Sequence, residues 1–381
     1  MTTTINNEHK KLNVPNLRFP EFQGEWKRTI FKNVITLQRG SSPRPIIEYV
    51  TTSDDGVNWI KIGDMPHFGR IVTSTEEKIT KEGAKKSRQV NKGDLILSNS
   101  MSYGLPYIMG IDGYIHDGWF VLKNFENTFD KDYLCNLLIS SAIQNQYKRL
   151  AAGGVVQNIS SDLVNSVSVS IPTMMEQKKI SSLLNLIDER IATQNKIIDK
   201  LQSLIKGIAQ KIVRSNKPNV RLYECVECSS STQQESEVCE QGAYPVYGAN
   251  GIVGYLDDYN TEDEAVYIIK DGSGVGTVSY VTGKCSATGT LNTLQAKDGY
   301  SLQYLYYLLK VFNFEPYKTG MAIPHIYFKD YGKAKVFCPS YTEQLQYARL
   351  LSAIDSKLSV EKNTLRNLSL QKQYLLRQMF I

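Results

Sequence analysis

Two long stretches of the chain carry apolar residues every three or four positions. From Ile180 to Ile212 the steps alternate strictly between four and three residues, and no proline interrupts them. A 3.5-residue spacing kept over about five heptads is typical of a coiled-coil seam. We predict a helix of about 38 residues, roughly 57 Å long. The seam positions predicted in this first helix are Ile180, Leu184, Ile187, Ile191, Gln194, Ile198 and Leu201.

The same register recurs 167 residues later. Both helices start with Pro-x-x-x-Glu-Gln, at Pro172–Gln177 and again at Pro339–Gln344, and proline suits the first turn of a helix. The shared start and register indicate an internal repeat; the alternative is two unrelated amphipathic helices, each packed on its own domain. One shared polar seam position, Gln194 and Glu361, would fix the register. The predicted seam of the second helix is Tyr347, Leu351, Ile354, Leu358, Glu361, Leu365 and Leu368.

A globular stretch precedes each helix. Runs such as Trp119–Leu122 and Ala265–Ile269 predict strands, and Asp132–Arg149 and Ser301–Phe312 each predict one amphipathic helix. We therefore expect an α+β chain in which two α/β-type domains alternate with long helices. The predicted order is an N-terminal segment 1–19, a first domain 20–171, a central helix 172–215, a second domain 216–338 and a C-terminal helix 339–381.

This organisation resembles the specificity subunit of type I restriction–modification systems. The resemblance rests on the two Pro-x-x-x-Glu-Gln starts, the heptad helices behind them and the opening segment Pro15–Pro20 with Trp26, and it covers nearly the whole chain. It implies two target-recognition domains related by a pseudo-twofold axis, with the helices paired as an antiparallel coiled coil. Each domain would read one half of an asymmetric bipartite DNA site, and the coiled coil would set the spacing.

The resemblance also implies partners and a role without catalysis. Expected partners are double-stranded DNA, two methyltransferase subunits and, in the full complex, motor–nuclease subunits. S-adenosylmethionine, ATP and Mg²⁺ would be bound by those subunits, so we expect no cofactor on this chain.

Composition changes this picture little. The chain is 41% hydrophobic and 22% charged with a net charge of +6, and it has no polybasic tail, so DNA contacts would come from local basic patches on folded surfaces. No apolar run reaches the roughly 18 residues of a membrane span, and the first residues lack a secretory signal. The six irregularly spaced cysteines favour free thiols in a reducing cytoplasm.

Motifs for catalysis or metal binding are weak. Asp271–Gly276 looks like a glycine-rich cofactor loop, but the strand-like Thr277–Val281 follows where such a loop needs a helix, so we predict a hairpin turn. The chain has neither the Asn-Pro-Pro-aromatic motif of an amino-methyltransferase nor a phosphate-binding loop. Cys225 and Cys228 have zinc-like spacing but no second pair. The rival interpretations are an enzyme, either a stand-alone methyltransferase or a fused restriction enzyme, and a purely structural coiled-coil adaptor.

Candidate DNA contacts are polar and basic side chains in loops, because such groups contact bases and phosphates. The plain alternative at each place is an ordinary solvated loop. The candidates in the first domain are Arg39, Ser41, Ser42, Arg44, Lys85, Lys86, Arg88, Asn99, Ser100, Tyr103, Gln157 and Asn158. Those in the second domain, where acidic residues outnumber basic ones, are Tyr247, Asn250, Lys270, Ser273, Lys318 and His325.

Overall fold

The chain folds into two compact units whose boundaries fall within the long helices. Unit 1 comprises residues 1–195 and 364–381, and unit 2 comprises residues 196–363. The computed structural model describes residues 12–66, 68–100, 104–151, 159–320 and 322–381. Each long helix therefore contributes one part to unit 1 and the other part to unit 2.

Unit 1 combines short strands with short helices. Its short helices are α1 (Lys81–Lys85), α2 (Lys131–Ile139), α3 (Ser141–Ala151) and α4 (Ser161–Ser166). Its strands are β1 (Lys27–Ile30), β2 (Thr36–Arg39), β3 (Val50–Thr51), β4 (Val57–Ile60), β5 (Ile71–Val72), β6 (Glu77–Ile79), β7 (Arg88–Val90), β8 (Leu95–Ser98), β9 (Pro106–Met109), β10 (Gly113–Ile115), β11 (Trp119–Lys123) and β12 (Ser168–Ile171).

Two five-stranded sheets form the centre of unit 1. Their strand orders are β3-β6-β4-β10-β7 and β2-β11-β8-β9-β5, and β1 pairs with β12. Strand β8 is buried along its whole length. Leu95 and Leu97 pack with the helices, whereas Ile96 packs into a second core with Trp119 and Val121. Because both faces of β8 are covered, its sequence is a continuous apolar run rather than an alternating one.

The remaining elements follow along the chain. The helices are the long α5 (Met174–Arg214), α6 (Leu222–Cys225), α7 (Leu302–Leu309), α8 (Phe328–Tyr331) and the long α9 (Tyr341–Gln378). The strands, all in unit 2, are β13 (Val220–Arg221), β14 (Val226–Ser230), β15 (Tyr244–Gly248), β16 (Gly251–Leu256), β17 (Glu264–Ile269), β18 (Val278–Thr282), β19 (Ser286–Ala287), β20 (Leu291–Ala296) and β21 (Lys335–Val336).

The sheets of unit 2 repeat part of the topology of unit 1. The order β14-β20-β17-β18 corresponds to β2-β11-β8-β9, and every neighbouring pair is antiparallel in both. A second sheet, β16-β15-β19, matches β6-β4-β10, with one antiparallel and one parallel pair in each. The internal repeat therefore extends from the long helices to both domains.

The long helices run antiparallel within unit 1. Lys372, near the end of α9, contacts Asp188 near the start of α5, and Met379 shares a buried cluster with Ile180. Arg70 Nη2 also donates to Asp188 Oδ2 at 2.9 Å. The helices have 41 and 38 residues, and the residues predicted for the seam are buried or half-buried in both.

The opening segment packs against the start of α5. Arg18 donates twice to the Glu176 carboxylate, at 2.7 and 2.8 Å, and Trp26 Nε1 donates to it at 3.2 Å. The Glu176 side chain is only 1% exposed. Because a buried carboxylate needs a countercharge and hydrogen-bond donors, Glu176 requires both Arg18 and Trp26 to be in place.

The short helices differ from the prediction in one respect. The single helix expected over Asp132–Arg149 is two helices, α2 and α3, with an extended Ser140 between them. Ser140 Oγ donates to Leu137 O at 2.6 Å, and Ser140 O accepts from Gln144 N. A serine that bonds to the nearby main chain favours such a break, and apolar periodicity does not reveal it.

The strand predictions are confirmed. The runs at Trp119–Leu122 and Ala265–Ile269 form β11 and β17. The glycine-rich stretch after β17 is the turn of the β17–β18 hairpin, with Gly272 at φ +92° and Gly276 at φ +89°. Both angles suit glycine, and no helix follows this turn, so the stretch lacks the geometry of a dinucleotide loop.

Candidate nucleic-acid interface

The end of the central strand defines the same place in both units. In unit 1, Asn99 N donates to Gly118 O at 2.9 Å, and Asn99 O accepts from Ile159 N at 2.8 Å. In unit 2, Lys270 N donates to Thr290 O at 3.0 Å, and Lys270 O accepts from Ile326 N at 2.9 Å. Asn99 and Lys270 thus occupy equivalent positions, and the loops around them carry most of the predicted DNA contacts.

The loop before β11 organises this surface in unit 1. Asp117 Oδ1 accepts from Ser42 Oγ at 2.9 Å, and Asp117 Oδ2 accepts from Arg44 Nη2 at 3.2 Å. The main-chain oxygen of Asp117 accepts from Arg39 Nε at 3.3 Å and from Asn99 Nδ2 at 2.9 Å. Four residues predicted as DNA contacts therefore converge on one loop that the sequence did not single out.

Asn99 has a structural role in this arrangement. Asn99 is 4% exposed, and its side-chain Nδ2 donates to the main-chain oxygen of Asp117. The amide thus already donates to the main chain, and the contact of Asn99 with DNA stays a prediction. Asn99 positions the loop that carries Asp117.

The basic cluster of α1 adjoins the same loops. Lys85, Lys86 and Arg88 are exposed. Ser41 Oγ donates to the main-chain oxygen of Lys86 at 3.1 Å, and Arg88 Nε donates to that of Arg39 at 3.2 Å. The structure thus joins two predicted sites, 39–44 and 85–88, into one basic surface suited to phosphates.

Ser100 lies at a groove beside this surface. The groove has a volume of about 950 Å³, and its walls include Ser42, Arg44, Trp59 and Asp117. A groove with an apolar wall and a polar rim is suited to contact with base edges or sugars.

His116 is uncharged in this geometry. Its Nδ1 accepts from Gly118 N at 2.7 Å, so this nitrogen carries a lone pair and does not donate to Asp117, whose Oδ1 is 3.7 Å away. Burial lowers the pKa of His116, although the nearby Asp117 opposes the shift. His116 is therefore an acceptor for a main-chain amide.

In unit 2, two loops join at the equivalent edge. His325 Nδ1 lies 3.3 Å from Asp271 Oδ1, and Gly272 N donates to Pro324 O at 2.9 Å. Ser273 is exposed at the tip of the hairpin turn. Lys318 Nζ pairs with Glu315 Oε1 at 2.6 Å within its own turn, so its charge is partly compensated.

The turn at 248–251 contributes a second part of the unit 2 surface. It is the hairpin between β15 and β16, with Asn250 exposed at its tip. Tyr247 is half-buried, and its ring centroid lies 5.7 Å from that of Tyr267. Tyr247 O accepts from Thr288 N at 2.8 Å, which places this hairpin beside the residues that hold Lys270. The predicted contacts Tyr103, Gln157 and Asn158 lie outside the described residues.

The structure offers no metal site or membrane span in the part of the chain that it describes. No cluster of three or more His, Cys, Asp or Glu side chains there has the geometry of a metal site. Cys225 Sγ instead lies 3.8 Å from Cys338 Sγ in a buried contact. Among the same residues, no helix is long and apolar enough to cross a bilayer.

Comparison with known proteins decides the family. The sequence profile of the type I restriction modification DNA specificity domain matches residues 24–203 and 219–369. The chain belongs to this family. The two matched segments each hold one domain and most of the long helix that follows it, so the specificity domain is present twice.

Individual relatives are distant in sequence. The specificity subunit of the type I restriction enzyme EcoprrI from Escherichia coli is 20% identical over 350 residues, covering 85% of this chain and 86% of that protein. The crystal structure of a type I restriction–modification S subunit from Mycoplasma genitalium superposes with a TM-score of 0.63 at 18% identity, covering 97% of this chain and 99% of that one. A structure from a study of type I complex assembly gives a TM-score of 0.55 at 16% identity.

The sequence analysis did not identify Asp117 or the pairing of Glu176 with Arg18, which hold parts of the first specificity domain together. Asp117 sits next to a strand, but its partners Ser42 and Arg44 lie more than 70 positions away in sequence. Glu176 belongs to a motif that the sequence did reveal, yet nothing local pairs it with Arg18. A signal for Asp117 did exist, since it is an acidic residue in a loop at the edge of a buried strand.

Proposed function

We propose that this chain is the non-catalytic DNA-reading subunit of a type I restriction–modification complex, with each unit reading one half of an asymmetric bipartite site. The observation that carries the proposal is that the two units share one framework but differ at equivalent loop positions. Asn99 corresponds to Lys270, and Asp117, two residues before β11, corresponds to Gly289, two residues before β20. Two readers built alike but with different side chains suit a site with two different halves.

The long helices set the spacing of the half-sites and hold the methyltransferase subunits. A paired helix is stiffer than a flexible linker, so it favours a fixed number of unread bases. The helices also keep apolar residues on their outward faces, including Leu186 in unit 1 and Leu350 in unit 2, which are 57% and 50% exposed. Exposed leucines of this kind favour docking of partner helices.

The chemistry belongs to the partners. S-adenosylmethionine would bind to the methyltransferase subunits, which would flip the target adenine out of the duplex, and ATP and Mg²⁺ would bind to the motor–nuclease subunits. The cysteines of this chain are free thiols, which fits work in the reducing cytoplasm.

The test is a methylome comparison. The chain is co-expressed with its modification subunit, and N6-methyladenine is mapped genome-wide by single-molecule sequencing, with the modification subunit alone as the control. We expect one asymmetric motif in two parts with an unread gap, present only when this chain is present. Unchanged methylation despite a stable complex would contradict the proposal and favour a structural adaptor.

A binding assay with S-adenosylmethionine distinguishes the proposed function from a stand-alone methyltransferase. The isolated chain is expected to bind none in equilibrium dialysis, whereas its complex with the modification subunit is expected to bind it. Binding by the isolated chain would point to a stand-alone methyltransferase.

A further inference from the structure

The candidate interface of unit 1 includes an exposed ion pair between Arg44 and Asp117. Arg44 Nη2 lies 3.2 Å from Asp117 Oδ2, and the two side chains are 81% and 43% exposed. The predicted contact segments around them, 38–45, 85–88 and 99–100, contain no aspartate or glutamate. Asp117 is thus a carboxylate set among basic and neutral contact segments, and Glu76 is a second carboxylate that lines the adjoining groove.

A carboxylate in this place is unsuited to the DNA backbone, because phosphates repel it. It is suited to the exocyclic amino group of a base, and in the major groove the matching donor is cytosine N4. A guanidinium beside it has the complementary preference, since arginine donates in bidentate fashion to guanine O6 and N7. In a guanine·cytosine pair these acceptors and this donor lie side by side on one edge.

The carboxylate is also held in place before DNA arrives. Ser42 Oγ donates to Asp117 Oδ1 at 2.9 Å, and Arg39 and Asn99 hold its main-chain oxygen. Burial raises the pKa of Asp117, but the hydrogen bonds from Ser42 and from a main-chain amide, together with Arg44, bring it below its ordinary value. The group is therefore an ionised acceptor at neutral pH.

We propose that Arg44 and Asp117 together read one guanine·cytosine base pair in the half-site bound by unit 1. Arg44 donates to guanine O6 and N7, and Asp117 accepts from cytosine N4. This inference rests on the proposed function. Unit 2 has Gly289 at the position of Asp117, so the assignment concerns one half-site only.

The first experiment repeats the methylome with Asp117→Asn and Arg44→Ala. The control is Asp55→Asn, because Asp55 forms an exposed ion pair with Lys81 at 3.5 Å in the same unit. We expect each test variant to relax the same single G·C position, with discrimination reduced about tenfold. The other half-site and the control motif stay unchanged.

The results distinguish failure of the proposed function from failure of the Arg44 and Asp117 assignment. A wild-type methylome without a two-part motif overturns the proposed function itself. A two-part motif that both variants leave unchanged, or that they weaken equally at every position, overturns only the assignment of Arg44 and Asp117. Thermal unfolding of each variant shows whether a uniform loss arises from misfolding.

The second experiment tests whether Arg44 contacts N7 of the guanine. Duplexes that carry the motif with 7-deazaguanine at the relaxed position lack the N7 acceptor. We expect the wild-type complex to bind such a duplex about tenfold more weakly than the natural one, and the Arg44→Ala complex to bind both equally. An equal loss in wild type and variant would assign the guanine to another residue.

Discussion

Gln177 and Gln344 make two matching hydrogen bonds in the two halves of the chain, and Gln177 Nε2 donates in addition to Thr128 O at 2.8 Å. Each side-chain oxygen accepts from a main-chain amide at 2.9 Å, from Asp130 N in unit 1 and from Ser301 N in unit 2. Each side-chain nitrogen donates to the carbonyl of the proline five residues earlier, at 3.1 and 2.9 Å. Because Asp130 and Ser301 are the N-caps of α2 and α7, the glutamine couples the start of each long helix to the short helix of its own domain.

Replacing either glutamine by alanine should destabilise only its own unit. Both side chains are 1% exposed, so the change leaves buried main-chain groups without partners and costs about 1–3 kcal/mol. All three tryptophans, Trp26, Trp59 and Trp119, lie in unit 1. Urea unfolding followed by tryptophan fluorescence should therefore shift for Gln177→Ala.

For Gln344→Ala we expect faster hydrogen exchange in the first turn of α7 and little change in tryptophan fluorescence. Gln202→Ala, at an exposed position of α5, is the control and should alter neither signal. Equal effects of Gln177→Ala on both units would argue against separate couplings.

The two glutamates of the repeat should respond differently to the same substitution. Glu176→Ala removes the carboxylate to which the partly buried Arg18 and the buried Trp26 both donate, which should cost about 3 kcal/mol in unfolding experiments. Glu343 is exposed and bonds only to Ser340 at the start of α9, so Glu343→Ala should cost about 1 kcal/mol or less. Calorimetry on both variants, with the exposed Glu189→Ala as the control, measures the difference; similar losses for Glu176 and Glu343 would contradict it.

Changing the length of the helix should change the spacing of the DNA site. Inserting four residues, half a heptad, near Gln194 should alter the number of unread bases but leave both half-site sequences unchanged. The methylome of the variant is the measurement, and loss of both half-site preferences together would count against a spacing role for the helices. Four residues inserted in the exposed turn 282–284 of unit 2 provide the control, for which the gap should stay constant.

Acid should weaken unit 1 through His116. Burial holds the pKa of His116 below its ordinary value, so the unfolded chain takes up the proton first, near pH 6.5. The neutral ring therefore contributes its full stability above about pH 6.5. This contribution is lost as the pH falls from about 6.5 to the pKa of His116 in the folded protein. The free energy of unfolding falls there by at most about 1.4 kcal/mol per pH unit.

Tryptophan fluorescence across this interval should show the loss in wild type and a flatter profile in His116→Gln. The pKa of Asp117 is also lowered, so this carboxylate loses its contribution only at more acidic pH, near and below about 4. A wild-type profile that is flat between pH 6.5 and 5 would contradict the role of His116.

The sequence predicts those features of the fold that depend on residues close together along the chain. The two long helices, the strands at Trp119 and Ala265 and the hairpin after Ile269 follow from local periodicity and turn chemistry, and these predictions hold. The break at Ser140 is also local, but a serine is compatible with either a helix or a cap, so periodicity alone favoured one helix.

The organisation of the candidate interface around Asp117 is not local. The bond between Ser42 and Asp117 joins positions 75 residues apart, and the bond between Arg18 and Glu176 joins positions 158 residues apart. No spacing rule connects such pairs, because the sheet topology brings them together. Sequence therefore indicated the basic loops around Arg39 and Lys86 but not the acidic residue between them.

The bonds at the end of the central strand have a consequence for how this protein changes over generations. Asn99 and Lys270 are held there through main-chain atoms, to Gly118 and Ile159 in one unit and to Thr290 and Ile326 in the other. Main-chain bonds do not depend on the identity of the side chain, so side chains in the loops around these two positions can change while these main-chain bonds are kept. If each unit reads one half of the site, as we propose, a lineage can thereby acquire a new target sequence in one half while it retains the other half and its folding stability.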